Sequence, residues 1–238
     1  MSVTTETKRT GRRADRVLIM LVCGLGGVLV AGLILARVLL FQPFNVPSGA
    51  MAPTLLIGDY FVASKTAYGY GRYSLPFLPD FSGRIFAAQP ARGAVVVFRL
   101  PKDPSVTFVK RVVGLPGDRI QMIGGVLNIN DRPVRREQIA DFFGRDFCGS
   151  GERARTKRWR ETLPEGVSYE TLDCAGNAFL DNTQVYTVPA GHYFMMGDNR
   201  QNSSDSRVTQ VGYVPFENLI GRVERIFLSG GSLSWRSL

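Results

Sequence analysis

Histidine is nearly absent from this 238-residue chain: His192 is the only one. A hydrolytic triad built on imidazole would need that residue, and His192 sits in an apolar run, HYFMM, where it reads as a packed structural side chain. Cysteine is also scarce. Three are present, Cys23, Cys148 and Cys174, with no C-x-x-C pair among them. Without paired thiols or a second imidazole the chain lacks the donors of a zinc site, and no metal or cofactor is expected. Acidic residues are outnumbered, 20 Asp and Glu against 29 Lys and Arg, for a net charge of +9. Such an excess suits polyanions or anionic membranes. Internal repeats are missing too, which excludes solenoids and propellers.

One long hydrophobic run decides between those partners. Residues 17–36, VLIMLVCGLGGVLVAGLILA, carry no charge, and about 20 such residues span a bilayer as a helix. Lys8, Arg9, Arg12, Arg13 and Arg16 precede it, against Glu6 and Asp15. That basic excess assigns the N-terminus to the cytoplasm and the rest to the outer face. The run is too long for a cleaved signal segment and has no small-x-small site at its end. The expected organisation is a basic tail over 1–16, an anchor over 17–41 and an exported domain over 42–238. On the exported side a disulfide can persist, so a Cys148–Cys174 bridge is open. Nucleic acid is excluded as a partner there, despite the RARTKRWR stretch at 153–160.

Beyond Gln42-Pro43-Phe44, short runs rich in Val, Ile, Tyr and Phe alternate with Gly and Pro. Strands are predicted at 59–64, 94–99, 107–113, 119–123, 126–130, 184–188, 192–196 and 219–228, with a hairpin turn at Gly124-Gly125. The fold class is mainly β, an antiparallel sandwich or barrel-like domain behind one transmembrane helix. Two segments interrupt the rhythm. Residues 66–91, which include LPFLPDF at 75–81, read as an apolar flap over the core or a loop dipping into the membrane surface. Residues 131–183 are polar and basic and read as a solvated, variable insert.

Three stretches carry candidate chemistry. In TFVKRVV, alternation places Phe108, Lys110 and Val112 on one face. Burial among apolar neighbours disfavours an ammonium and lowers its pKa, which would make Lys110 a usable base. A lysine on an edge strand reaching water is the plainer reading. Arg111 points the other way, to a surface partner. GDNRQNSSDSR at 197–207 packs acids, arginines and hydroxyls tightly, either as a solvated turn or as a set of groups orienting another residue. VPSGAMAPTL at 46–55 has the look of a catalytic elbow, with Ser48 its hydroxyl.

In order along the chain, FNVPSGAMAPTLLIGDY, RGAVVVF at 92–98, FVKRVVGLPGD at 108–118 and GHYFMMGDNRQNSSDSR at 191–207 resemble the boxes of the bacterial signal peptidase I family. The resemblance implies a Ser/Lys dyad that cleaves signal peptides from exported preproteins after small-x-small sites, at the outer face of the plasma membrane. The lipid bilayer and the export machinery would be its partners. It makes Lys110 the general base, Ser48 an oxyanion-hole hydroxyl, and Ser203 the hydroxyl that holds the lysine amine. Asp205 and Arg207 become a supporting ion pair, and Phe44, Val46, Met51, Leu55 and Val109 line pockets for small side chains. The family's box reads Ser-x-Ser-Met, its second serine attacking. Here that position is Ala50. A second departure is Ala94, where the family usually carries Asp. A methyl group cannot attack a carbonyl, so the chain as written is expected to bind substrate with little turnover. Two alternatives stand beside this: a peptidase that uses Ser48, and a non-catalytic paralogue that holds or regulates exported chains.

Overall fold

The computed structural model describes residues 4–74, 81–145, 153–174 and 178–238. The chain divides into two units, Met1–Leu40 and Phe41–Leu238. In the first, one helix runs over Thr4–Leu39. Its Leu18–Leu39 portion has a mean hydropathy of 2.7 and no buried residue. Those 22 residues rise about 33 Å, enough to cross a hydrocarbon layer of about 30 Å.

The second unit is almost entirely β. In chain order its strands are β1 Phe41–Asn45, β2 Tyr60–Ser64, β3 Val95–Leu100, β4 Asp103–Gly114, β5 Arg119–Ile123, β6 Val126–Ile129, β7 Arg132–Pro133, β8 Arg135–Arg145, β9 Arg153–Thr162, β10 Ser168–Asp173, β11 Tyr186–Thr187, β12 His192–Met196, β13 Val214–Pro215, β14 Leu219–Ser229 and β15 Ser232–Ser237. The largest sheet has the order β1-β2-β14-β3-β4-β12-β13, with β15 on β14. A second sheet is β11-β5-β6-β7 and a third is β10-β9-β8. All pairings between these strands are antiparallel. The expected fold class is therefore the observed one.

Alternation explains why these runs are strands. On β3, Val95 and Val97 enter a core with Phe61, Ile220, Val223 and Ile226, while Val96 and Phe98 enter another with Val112, Tyr193, Met195 and Leu219. A strand buried on both faces has no polar side, which is why VVVF is unbroken. The β5–β6 hairpin turns at Gly124 and Gly125, whose φ values of 54° and 77° suit a two-residue turn that side chains resist.

Two expectations need correction. The 184–188 run contributes only the two-residue β11. The 131–183 segment, read as a solvated insert, forms the three long strands β8, β9 and β10. Charged side chains along β9 hid its periodicity, because the strand buries Thr156 near one end and Glu161, five residues on and so on the opposite face, near the other; on β10, Leu172 packs against Ala52. Of the proposed flap, residues 75–80 lie outside the described residues. The adjoining stretch buries Tyr68 in the β3–β4 core and is tied down by Arg84, which donates to the carbonyls of Tyr68, Gly69, Phe216 and Leu219.

Candidate active site

The turn that carries position 50 is built by its neighbours in sequence only in part. After β1, Val46 exchanges hydrogen bonds with Asp59 and Gly58, each 2.9 Å. A short 3-10 turn over Gly49–Met51 follows, closed by Ala52 N–H to the Gly49 carbonyl at 3.1 Å. Met51 and Leu55 drop into the core with Val46 and Phe61. That leaves Ser48 exposed and Ala50 at 8% exposure.

The rest of the support comes from the segment after β12. Asn199 donates its N–H to the Ala50 carbonyl at 3.1 Å and its side-chain amide to the Gly49 carbonyl at 3.3 Å. Asp198 accepts from Thr54 at 2.5 Å and from Arg111 at 2.8 and 2.6 Å. Arg111 also donates to the Gly93 carbonyl at 2.7 Å. This corrects the expected surface position of Arg111. It is buried, and its charge is matched by an equally buried carboxylate, as a charge withdrawn from water requires.

Lys110 lies on β4 between β3 and β12, opposite Val96. It is 5% exposed, so it is not an edge lysine reaching water. Its Nζ sits 5.1 Å from the centre of the Phe108 ring, and it makes no hydrogen bond or ion pair among the described residues. Burial lowers its pKa to about 8, while Asp205 and Asp198 pull it upward and Arg207 pushes it down. A neutral amine is therefore accessible near neutral pH.

Lys110, Ser48, Ala50 and Ser203 line one cleft of about 680 Å³, walled by Val46, Met51, Phe108, Val109 and Val208. Ser203 Oγ has no hydrogen-bond partner among the described residues, so none joins it to Lys110. Behind Ser203, the buried Asp205 receives two hydrogen bonds of 2.8 Å from the Arg207 guanidinium and one from the Gly197 N–H. Burial alone would raise the Asp205 pKa, but pairing with Arg207 holds it below the usual carboxylate value. Arg207 is in turn fixed to the Arg200 carbonyl at 2.5 Å. The 197–207 segment is thus a buried network rather than a solvated turn.

Of the anticipated pocket residues, Val46, Met51 and Val109 face the cleft. Leu55 is fully buried beneath it, and Phe44 is half-buried and stacked on Phe61; neither lines it. His192 is half-buried at the start of β12, its Nδ1 2.9 Å from the Ala190 carbonyl, and lies outside the cleft lining. Ala94 contributes its carbonyl to Val112 N–H. Cys174 is disulfide-bonded and Cys23 is free; Cys148 lies outside the described residues. No cluster of metal-ligating side chains occurs among the described residues. Sequence reasoning missed Thr54, Glu161 and Tyr169. The one signal for Glu161 was its position as the single acid closing the basic RARTKRWR run.

Known proteins resemble this chain over most of its length. A family model described as signal peptidase, peptidase S26, matches residues 18–228. Signal peptidase I of Rickettsia typhi (strain ATCC VR-144 / Wilmington) is 43% identical over 208 residues, covering 84% of this chain and 76% of the relative. That of Rickettsia conorii (strain ATCC VR-613 / Malish 7) is 44% identical over 211 residues, covering 85% and 77%. The crystal structure of a signal peptidase I from Enterococcus faecalis V583 is 25% identical and covers 57% of this chain and 97% of its own, with a TM-score of 0.34.

Proposed function

The chain belongs to the signal peptidase family, peptidase S26, and from that premise we propose that it is a signal peptidase I-type protein of the bacterial plasma membrane with its nucleophile position vacated. Residues 17–41 anchor it, residues 1–16 stay in the cytoplasm, and the β domain works on the outer face. Its substrates are the signal peptides of exported preproteins, reached in the bilayer or from the export machinery. The supporting observation is that an unpaired, buried amine (Lys110), Ala50 and two hydroxyls (Ser48, Ser203) line the same apolar-walled cleft.

The mechanism follows from those groups. A substrate strand lying in the cleft buries small side chains against Val46, Met51 and Val109. Neutral Lys110 is the base that would take the proton of a hydroxyl at position 50. The N–H of position 50 and the Ser48 hydroxyl would receive the developing oxyanion. Ser203 stands in the same cleft as the amine, and the Asp205–Arg207 pair acts on it through charge. Ala50 supplies every part of this except the attacking oxygen, so the chain retains substrate and turns it over very slowly. The exposed Ser48 hydroxyl in the same cleft favours a second reading, in which Ser48 attacks.

One experiment separates the readings. The full chain in detergent is incubated with a preprotein beside its Ala50→Ser and Ser48→Ala forms. Cleavage only by Ala50→Ser supports the vacated-nucleophile reading. Cleavage by the chain as written, abolished in Ser48→Ala, supports the second. Binding without cleavage by any form points to a holding or regulatory protein.

A further inference from the structure

The insert sheet meets the cleft-bearing segment through contacts that the cleft itself does not require. Leu172 on β10 donates its N–H to the Asp198 carbonyl at 2.9 Å and accepts the Arg200 N–H at 3.1 Å. These two bonds form a parallel bridge to Asn199. They occupy the edge of β10 that faces away from β9, an edge that would otherwise expose unpaired backbone groups. Beside them, Arg200 Nη2 donates to Glu161 on β9 at 2.5 Å and to the Tyr169 hydroxyl at 3.0 Å. The same hydroxyl donates to Glu161 at 3.0 Å. All three side chains are buried. The Tyr169 ring also lies 4.2 Å from the Arg111 guanidinium that grips Asp198.

A buried ion pair adds little net stability, because desolvation offsets most of the attraction. What it fixes is geometry. Arg200 is held at its side chain by Glu161, at its N–H by Leu172, and at its carbonyl by Arg207. On one side of it Asn199 holds the carbonyls of Gly49 and Ala50. On the other, Arg207 holds Asp205, behind Ser203. Arg200 is therefore the fixed point between the turn and the amine's supporting pair.

We propose that Glu161, seconded by Tyr169, is a positioning residue of the cleft. Through Arg200 it sets the 198–207 segment against the 48–51 turn, and so sets position 50 relative to Lys110. The insert is then a built-in brace of the reaction centre rather than an appended, solvated sheet. This rests on the peptidase reading, since a brace for turnover needs turnover to act on.

The test uses the full chain in detergent, with Glu161→Gln and Tyr169→Phe introduced into the Ala50→Ser form. The control is Asp118→Asn, which breaks the buried pair with Arg92 outside the cleft lining. Glu161→Gln is expected to lower kcat about 100-fold, the scale of a slight misplacement of reacting groups. KM, and the affinity of the Ala50 form for a labelled signal peptide, should stay within about threefold. Tyr169→Phe should move kcat the same way by less. Asp118→Asn should lower the unfolding midpoint and leave kcat alone. An unchanged kcat in Glu161→Gln, or equal losses in kcat and affinity matched by the control, overturns the brace. Failure of Ala50→Ser itself to cleave would sink the peptidase reading separately. Hydrogen exchange then decides the brace: Glu161→Gln must speed amide exchange in 48–55 and 197–207 by about tenfold or more and spare the β5–β6 hairpin. Unaltered exchange in those two segments overturns it.

Discussion

The N–H of Asn199 donates to the carbonyl of Ala50 at 3.1 Å, and the amide of the same side chain reaches the Gly49 carbonyl at 3.3 Å. Position 50 is thus located by a residue about 150 positions later in the chain. The turn alone supplies too few bonds to fix it. Asn199→Ala removes the side-chain bond and leaves the Gly49 carbonyl only the Ala52 N–H, a loss of about 0.5–1.5 kcal/mol. Urea unfolding should show that loss with an unchanged slope. In the Ala50→Ser form, kcat should fall while substrate affinity is largely kept.

Ala50→Ser restores the missing oxygen without changing the backbone. Removal of a serine nucleophile from comparable machinery costs several powers of ten. The reverse change here should therefore raise preprotein cleavage by about a thousandfold or more. Ser48→Ala in that background should cost about 100-fold, as loss of one oxyanion donor does. Single-turnover cleavage of a labelled preprotein reads both. A reversed order of effects would assign the attack to Ser48.

In the proposed mechanism Lys110 sets the pH dependence. Its pKa is lowered from an ordinary 10.5 to about 8, chiefly by burial. Only the neutral amine can act as base, so the Ala50→Ser rate should climb through about pH 8 and then level off. Stability moves in the same direction. Between about 8 and 10.5 the unfolded chain carries a proton that the folded chain lacks, so the lysine's contribution rises with pH. Below that window both states are protonated, and the fold carries the full cost of a buried charge. Lys110→Met removes this cost. Its unfolding midpoint at pH 7 should exceed the parent's by about 5–10 °C, and the gap should narrow toward pH 10. A gap constant with pH would mean that the amine is not desolvated.

These residues also show where the sequence was informative. Lys110 was legible because a cation in a run of alternating apolar residues is costly without a use. The turn at Gly124-Gly125 and the long apolar helix were legible because one local rule decides each. Arg111 was not. Alternation correctly turned it away from Lys110, but only the fold places Asp198 there to receive it. The insert was hidden for a similar reason: β9 buries Glu161 and Thr156 among exposed basic neighbours, so no period-two pattern of apolar residues marks it as a strand. The box residues after β12 were legible as a group, while their division of labour depends on partners that chain order does not bring together.

Gly197 tests how tightly those partners are set. A Cβ built there would lie 2.6 Å from the Ser203 Cβ and inside contact distance of Ser203 Oγ and the Ala50 carbonyl oxygen. Nothing flexible lies in the way: one obstacle is backbone, and the other is a short side chain rooted in the same buried segment. Gly197→Ala must therefore push Ser203 and position 50 apart, since neither can rotate clear. Overpacking of this kind costs about 1–3 kcal/mol. In the Ala50→Ser form it should lower kcat by about 100-fold, because the displaced groups are those around the reacting carbonyl. Gly24→Ala, where a Cβ meets nothing within 4 Å, gives the baseline for the same chemical change. If Gly197→Ala matches that baseline in both unfolding and turnover, then the close approach of the two segments does not govern the reaction, and Lys110 reaches position 50 through a looser cleft than these distances describe.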